Sequence, residues 1–565
     1  MPLSFRVEGS VFICTGDDLK FLRLKARLGA FLGAEQIRVE GKNRFAIPMI
    51  AAVAASDAFV AELGSLPQEL AEASDVYAKH ESARTEAMSG VMEEWIQELE
   101  SPWLEILDPK QAVAVSAMVT PELLGLCLFD EQGIGKTVTT IAAFDIMKQR
   151  GLADSLLVVA PLTMTAEWKK EIERFLPGKY NITLADGSGD ERRQKILNPF
   201  DVLILNYEAI PQLLVPLTAV LKNKKTVLAV DESFSVKNKD AIRSVAVRDL
   251  RNYCVRGFVM CGTPAPNSPV DVIHQFDIAD SGYTFAGFTP PKSLEESKEA
   301  ITERMEDRGA YVRRLKEEAL PNLPEKNFHV VFVVLSGRQQ SLYEDARNKL
   351  ELSLRGMDNA IFKRTLTSYF QQRSVLLQIC ACPESIDPNY ADTSAKMRAL
   401  DEVVDAVVEK AGKKLIIWSF YRAGLRSAMG RYSKYSPVLL DGSTTAKQRA
   451  IDVDRFQNDD SVRICVANPA AAGAGITLHA ASDAAYLSFS NQAAHFLQSL
   501  DRIHRRGQKA KSTDYHVIVC RDTIEESEVQ RLRAKEVRQH ELLGDAVKWP
   551  NTLDEALAEI TKKHE

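Results

Sequence analysis

The apolar and polar positions of this chain fall into three stretches with different rhythms. In the first, LSFRV and VFICT run as short strands, and residues 17–32 then place Leu19, Leu22, Leu24, Leu28, Phe31 and Leu32 at helical spacing. Residues 36–40 and 44–47 flank the turn signal GKN as a hairpin, and residues 68–100 carry a charge-rich helical pattern without proline. This predicts a small α+β accessory domain over residues 1–65 and a helical connector over 66–103.

From residue 104 the rhythm becomes strand, loop, helix. The runs LLVVAP, DVLILNY, TVLAVDE and RGFVMCGT alternate with helical segments, and a second series follows from residue 413: KKLIIWSFY, SPVLLDG, VRICVANP, DAAYLSFS and DYHVIV. A strand that is apolar at every position is buried on both faces, which between helices predicts a parallel sheet covered on each side. Residues 338–373, between the two series, read as helical with seven basic and four acidic residues. That insert either lies along a nucleic-acid backbone or is a solvated helical hairpin. The predicted segments are a first α/β lobe over 104–335, a helical insertion over 336–395, a second α/β lobe over 396–520, and a terminal helix with its tail over 521–565.

Composition narrows the class. A chain of 565 residues is too long for one hydrophobic core. Its 45% hydrophobic and 26% charged content excludes a fibre, a disordered tail protein and a multi-span membrane protein. With 71 basic and 77 acidic residues the net charge is −6, which argues against a uniformly basic packaging protein. It leaves room for a local basic groove. The eight cysteines are scattered, without a CxxC pair, as buried small hydrophobes in a reducing compartment would be. The N-terminus lacks the pattern of a secretory leader, and residues 46–63 are interrupted by Pro48, Asp57 and Glu62. The expectation is a cytoplasmic, non-secreted protein that does not enter a membrane.

Three motifs carry candidate chemistry. Asp130-Glu131-Gln132-Gly133-Ile134-Gly135-Lys136-Thr137 lies between the apolar run LLGLCLF and a helical segment. A glycine-rich turn there bares backbone N–H groups at a helix start, where phosphates bind. Lys136 would reach the β- and γ-phosphates, and the Thr137 hydroxyl would hold Mg²⁺. The pattern G-x-x-x-x-G-K-[ST] wants glycine at position 130, where Asp130 stands; read alone, the segment is a phosphate loop or a chance glycine-rich turn. Asp231-Glu232 ends the strand TVLAV, so both carboxylates sit at the mouth of an α/β sheet. Such a pair is commonly a solvated cap, but near a phosphate loop Asp231 would hold the metal and Glu232 would polarise the attacking water. In the second series, Arg502 and Arg505 are spaced i, i+3, which on a helix puts both guanidinium groups on one face. They are a solvated basic face or a pair of phosphate-directed arginines.

In order along the chain, these motifs and their neighbours resemble a superfamily-two helicase-like ATPase of the Swi/Snf type. The resemblance covers about residues 104–540. It rests on Leu107-Asp108-Pro109-Lys110-Gln111, a phosphate loop in the family's own D-E-x-G-x-G-K-T form, and Val159-Ala160-Pro161-Leu162 with Trp168. Leu205-Asn206-Tyr207-Glu208, Asp231-Glu232 and Gly262-Thr263-Pro264-Ala265-Pro266-Asn267 follow, then the segment YVRRLKEEALPNLPEK over residues 311–326. Asp441-Gly442-Ser443 before Arg449, residues 471–478, residues 498–508 and Asp522-Thr523-Ile524-Glu525-Glu526 complete the series.

The resemblance implies two tandem RecA-like lobes and a nucleic-acid-stimulated ATPase that uses ATP with Mg²⁺. It places Gln111 at the adenine; Gly133, Gly135, Lys136 and Thr137 on the phosphates; Asp231 and Glu232 at metal and water; and Gly475 near the nucleotide. Arg502 and Arg505 would be arginine fingers, and Pro161, Asn206, Tyr207, Ser419, Phe420 and Thr477 would belong to nucleic-acid-contacting loops. Implied as well is a monomeric translocase on double-stranded DNA whose backbone-directed contacts ignore sequence. The alternatives are a fork-remodelling, annealing or unwinding helicase on DNA or RNA, and an ATP-switched subunit of a defence or repair complex.

One departure bears on mechanism. The family's D-E-x-H histidine helps couple the ATP site to the GTP-containing motif, and here Phe234 stands in its place. D-E-S, Lys237-Asn238 and the 498–508 segment are most similar to the annealing-helicase (HARP-type) branch. Trp418 and Phe420 read as strand core or as stacking platforms for bases, and His504 as structural or coupling.

Overall fold

The computed structural model describes residues 3–8, 11–32, 37–94, 102–265, 268–320, 323–472, 476–489, 493–505, 507–537 and 552–561. The chain divides into two units, Met1–Leu315 and Lys316–Glu565.

The first unit begins with an antiparallel sheet of β1 (Ser4–Glu8), β2 (Val11–Thr15), β3 (Arg38–Val39) and β4 (Arg44–Pro48), in the order β1-β2-β4-β3. Its core gathers Phe12, Phe21, Phe45 and Phe59, and helix Leu19–Leu32 contributes only its buried stripe of Phe21, Leu24 and Leu28. The connector is the helix Gln68–Met92, whose Ala83 and Ala87 pack into the core of the next sheet.

That sheet holds β5 (Gly125–Leu128), β6 (Ser155–Ala160), β7 (Ile182–Leu184), β8 (Val202–Asn206), β9 (Thr226–Asp231), β10 (Arg256–Met260) and β11 (Tyr311–Val312). The order is β11-β5-β10-β9-β6-β8-β7, and every pairing is parallel. Strands β5, β6, β8, β9 and β10 are buried at every residue, which is why they are apolar except at the ends, where Ser155, Asn206, Thr226, Asp231 and Arg256 stand. The parallel arrangement brings the loops after β5, β10, β9, β6 and β8 to one edge of the sheet.

The second unit is a parallel sheet of β12 (Glu325–Val333), β13 (Leu415–Trp418), β14 (Val438–Leu440), β15 (Ile464–Ala467), β16 (Asp483–Tyr486) and β17 (Ser512–Cys520). Its order is β12-β17-β16-β13-β15-β14. Helices Gly337–Arg355, Asn359–Arg364 and Leu366–Ala381 form the insertion and share a core with the terminal helix Leu553–Thr561 through Tyr343, Leu376 and Ile560. Arg373 of the insertion is buried against Glu528 (2.6 Å) and Glu559 (3.0 Å).

The expected end of the first lobe at residue 335 is corrected here. β12 pairs along its whole length with β17 of the second sheet, so residues 325–333 belong to the second unit. Among the described residues no helix is long and apolar enough to cross a membrane.

Candidate functional site

The loop after β5 is built around two glycines. Gly133 (φ 89°) and Gly135 (φ 108°) lie in the left-handed region that a side chain disfavours. A Cβ on Gly135 would also stand 2.3 Å from the Gln111 amide nitrogen. Gly135 then caps the helix Lys136–Gln149, so the bared N–H groups and the positive end of the helix face the same way. Thr137 is half-buried in the first turn of that helix. The Lys136 ammonium donates to the carbonyls of Asp130 (2.8 Å) and Glu131 (3.3 Å), folded over its own loop.

Gln111 has a local reason to exist. Asp108 caps the helix Pro109–Val119 in a capping box, accepting from Gln111 N (2.8 Å) while the Asp108 N–H donates to Gln111 Oε1 (3.1 Å). The Gln111 amide then donates to Ile134 O (2.8 Å), fastening the phosphate loop from the side.

Asp130, where the strict loop pattern has glycine, is wholly buried. Its carboxylate accepts from Arg314 N (3.0 Å) and Nε (2.9 Å), and also from Nη2. Arg313 next to it donates to Gly262 O (2.9 Å) and Phe129 O, so the two arginines after β11 clamp the base of the loop. The sequence marks this RR pair as specific to the family but gives no sign of its partners.

The carboxylate pair follows β9, two strands from β5 with β10 between them. Asp231 Oδ2 accepts from the Trp168 indole (2.8 Å), Oδ1 accepts from Glu232 N (2.9 Å), and the Tyr207 hydroxyl donates to Asp231 O. Burial pushes the Asp231 carboxyl up; the Trp168 donor and the Lys136 charge act against this. Glu232 sits at φ 51°, a strained conformation for a non-glycine residue, and its carboxylate accepts from the Gln132 amide. Lys136, Thr137, Asp231, Glu232 and Gln111 thus surround one edge of the first sheet. A Cβ on Gly262, at the end of β10, would lie 2.8 Å from Gln132 Cγ and 3.5 Å from Lys136 Nζ, so this segment needs glycine to approach the loop.

The expected nucleic-acid residues divide. Pro161 is half-buried and starts the helix Leu162–Phe175. Asn206 donates to Glu208 (2.8 Å) and accepts from Arg192 (3.4 Å). Phe420 and Thr477 are half-buried. Tyr207 and Ser419 do not present their side chains: Tyr207 is 2% exposed, and Ser419 is fully buried with its hydroxyl on Ser488 (3.1 Å) and Tyr421 O (3.2 Å). Trp418 is fully buried, so of its two readings the structure takes the core one.

In the second unit the helix Ala493–Leu500 ends before Arg502, so the expected common helix face is not formed. The two arginines still converge. Arg502 donates to Gln498 O (2.8 Å) and Ile476 O (3.0 Å), and Arg505 donates to Ile476 O (3.3 Å). His504 is buried with Nε2 2.9 Å from Pro324 O, a structural role. Gly475 lies outside the described residues.

A family model of the SNF2-related domain matches residues 82–383, and one of the helicase conserved C-terminal domain matches residues 395–507. The SWI/SNF-related matrix-associated actin-dependent regulator of chromatin subfamily A-like protein 1 homolog of Caenorhabditis elegans is 27% identical over 403 residues, 68% of this chain and 54% of that protein. The putative ATP-dependent helicase/translocase YwqA of Bacillus subtilis is 27% identical over 443 residues, 74% of this chain and 46% of that protein. This chain therefore spans about half the length of these relatives. The Sulfolobus solfataricus SWI2/SNF2 ATPase core in complex with dsDNA aligns over 83% of this chain and 100% of its own, at 22% identity and a TM-score of 0.37.

Proposed function

The chain belongs to the SNF2-related family, and from that membership we propose that it hydrolyses ATP to translocate along double-stranded DNA. The observation that carries the reading is the assembly at one sheet edge of a glycine-shaped phosphate loop, its lysine, and the buried pair Asp231 and Glu232.

Each residue has a part that follows from its position. The helix start and the loop N–H groups hold the phosphates, and Lys136 leaves the Asp130 and Glu131 carbonyls to meet the terminal phosphate. Glu232, oriented by Gln132, accepts the proton of the attacking water. A hard divalent cation suits the oxygen donors Thr137 and Asp231: the Asp231 carboxylate is buried at a cost that a cation relieves, and Mg²⁺ bound there would offset charge on the phosphates. Arg502 and Arg505, gathered on the Ile476 carbonyl, are a pair of the kind that phosphoryl transfer uses as arginine fingers. Gln111 acts on the nucleotide through the loop that it fastens.

The test is ATP turnover against duplex DNA, single-stranded DNA, forked DNA and RNA at one salt concentration, since phosphate contacts make affinity salt-dependent. Stimulation by plain duplex is expected to equal or exceed that by the other three. Stimulation confined to forks or to RNA, or none at all, overturns the reading.

A further inference from the structure

Phe234 removes the side chain through which the D-E-x-H pattern reaches the GTP-containing segment, yet a buried polar path joins the same two places. The Ser233 hydroxyl donates to Gln275 Oε1 (2.5 Å), and Gln275 Nε2 donates to Pro264 O (2.7 Å) and Asp271 O (2.8 Å). Ser233 and Gln275 are both fully buried. The chemistry fixes the direction of every bond. Carbonyls only accept, so the amide NH₂ must face Pro264 and Asp271, which leaves Oε1 to accept the serine proton.

Ser233 adjoins Glu232, whose left-handed backbone (φ 51°) persists only where its surroundings hold it. The Glu232 carboxylate is in turn held by Gln132 of the phosphate loop, and Gly262, two residues before Pro264, abuts Gln132 and Lys136. A second tie closes the circuit: Lys237 reaches Asp271 (3.3 Å), and Asp271 also accepts from Ser268 N (3.3 Å).

We propose that Gln275 is a positioning residue: through Ser233 it transmits the placement of residues 262–265 to the strained turn carrying Glu232, in place of a histidine at position 234. Gln275 touches neither nucleotide nor water; it sets where the Glu232 carboxylate stands. An amide suits this role because it carries a donor and an acceptor on one rigid plane and does not titrate near neutral pH, so the link persists without a proton on an imidazole. The inference rests on the reading of this site as a DNA-stimulated ATPase.

Steady-state turnover of the full chain, with and without saturating duplex DNA, tests it through kcat and KM separately. Gln275→Leu removes both halves of the link, and Ser233→Ala removes one hydroxyl while leaving the packing in place. Each is expected to lower the DNA-stimulated kcat about tenfold with KM for ATP within about twofold, the pattern of a misplaced catalytic group rather than lost binding. The double variant should lose no more than the worse single one. Adding Phe234→His to Ser233→Ala is expected to restore at least half of the lost kcat. Full stimulated kcat in Ser233→Ala, losses that multiply in the double variant, a rise in KM without loss of kcat, or no restoration by Phe234→His overturns the proposal. A wild-type protein that duplex DNA does not stimulate overturns the functional reading first; a stimulated wild type with fully stimulated variants overturns the link alone.

Discussion

The carboxylates at the first unit's sheet edge and the arginines after the second unit's helix Ala493–Leu500 are held in different ways. In the first, charge is met by side chains: Asp130 grips Arg314, Gln132 and Ser233 flank the Glu232 turn, and Trp168 pins Asp231. In the second, Arg502 and Arg505 hang from main-chain carbonyls, chiefly that of Ile476. Side-chain networks lock one geometry, because each member's displacement leaves a buried partner unsatisfied. A guanidinium group on a carbonyl gains a stronger, charged and bidentate acceptor when it meets a phosphate. The first unit's carboxylates are therefore each fixed by a side-chain partner, while the second unit's two arginines share a main-chain acceptor.

The largest effect should come from the first unit's lysine. Lys136→Ala is expected to reduce ATP turnover about a thousandfold or more, measured as phosphate release. A loss below tenfold would break the contrast at its base. Next, Arg314→Ala strands the buried Asp130 charge and is expected to destabilise the first unit by about 3–5 kcal/mol in denaturant unfolding. Arg505→Ala should leave the denaturant midpoint within experimental error. It should lower kcat about tenfold to a hundredfold while nucleotide binding, followed by a fluorescent analogue, is retained. Equal stability losses in the two arginine variants would erase the difference between side-chain and main-chain anchoring.

A last expected effect, read at low pH, is shared by both units. Burial, with Arg251 next in weight, holds His80 at about 3, against an ordinary 6.5; burial, then Lys326 and Lys316, holds His504 at about 4. The folded protein resists a proton that the unfolded chain accepts. The stability is thus whole above pH 6.5 and is lost as pH falls from there toward those values. By pH 5 the loss is about 2 kcal/mol per histidine, read as a fall in Tm. His80→Gln, which keeps an acceptor for the Leu124 N–H, should flatten that fall.

What the sequence disclosed follows the same division between local and distant causes. The phosphate loop, its glycines and Asp231-Glu232 are legible because their spacing is dictated by a strand, a turn and a helix start. The parallel sheets are legible because complete burial leaves the middle of each strand apolar. Arg314 on Asp130, Trp168 on Asp231 and Gln275 on Ser233 are not, since each joins residues 42 to 184 positions apart with no periodicity between them. The end of the first lobe was misplaced for a related reason. Glu325–Val333 pairs with β17, nearly two hundred residues on, and nothing local in its sequence names that sheet. Arg502 and Arg505 share the Ile476 carbonyl but not a helix, because the apolar rhythm of residues 493–500 says little about where the last turn opens.

Glu232 leaves a lasting mark on how this protein can be improved. Its left-handed backbone is the conformation glycine adopts freely, so Glu232→Gly would relax the turn while deleting the carboxylate. With Glu232 as the proposed base, selection for heat resistance alone would therefore favour an inert protein at this position, and only a screen that scores turnover would keep the glutamate.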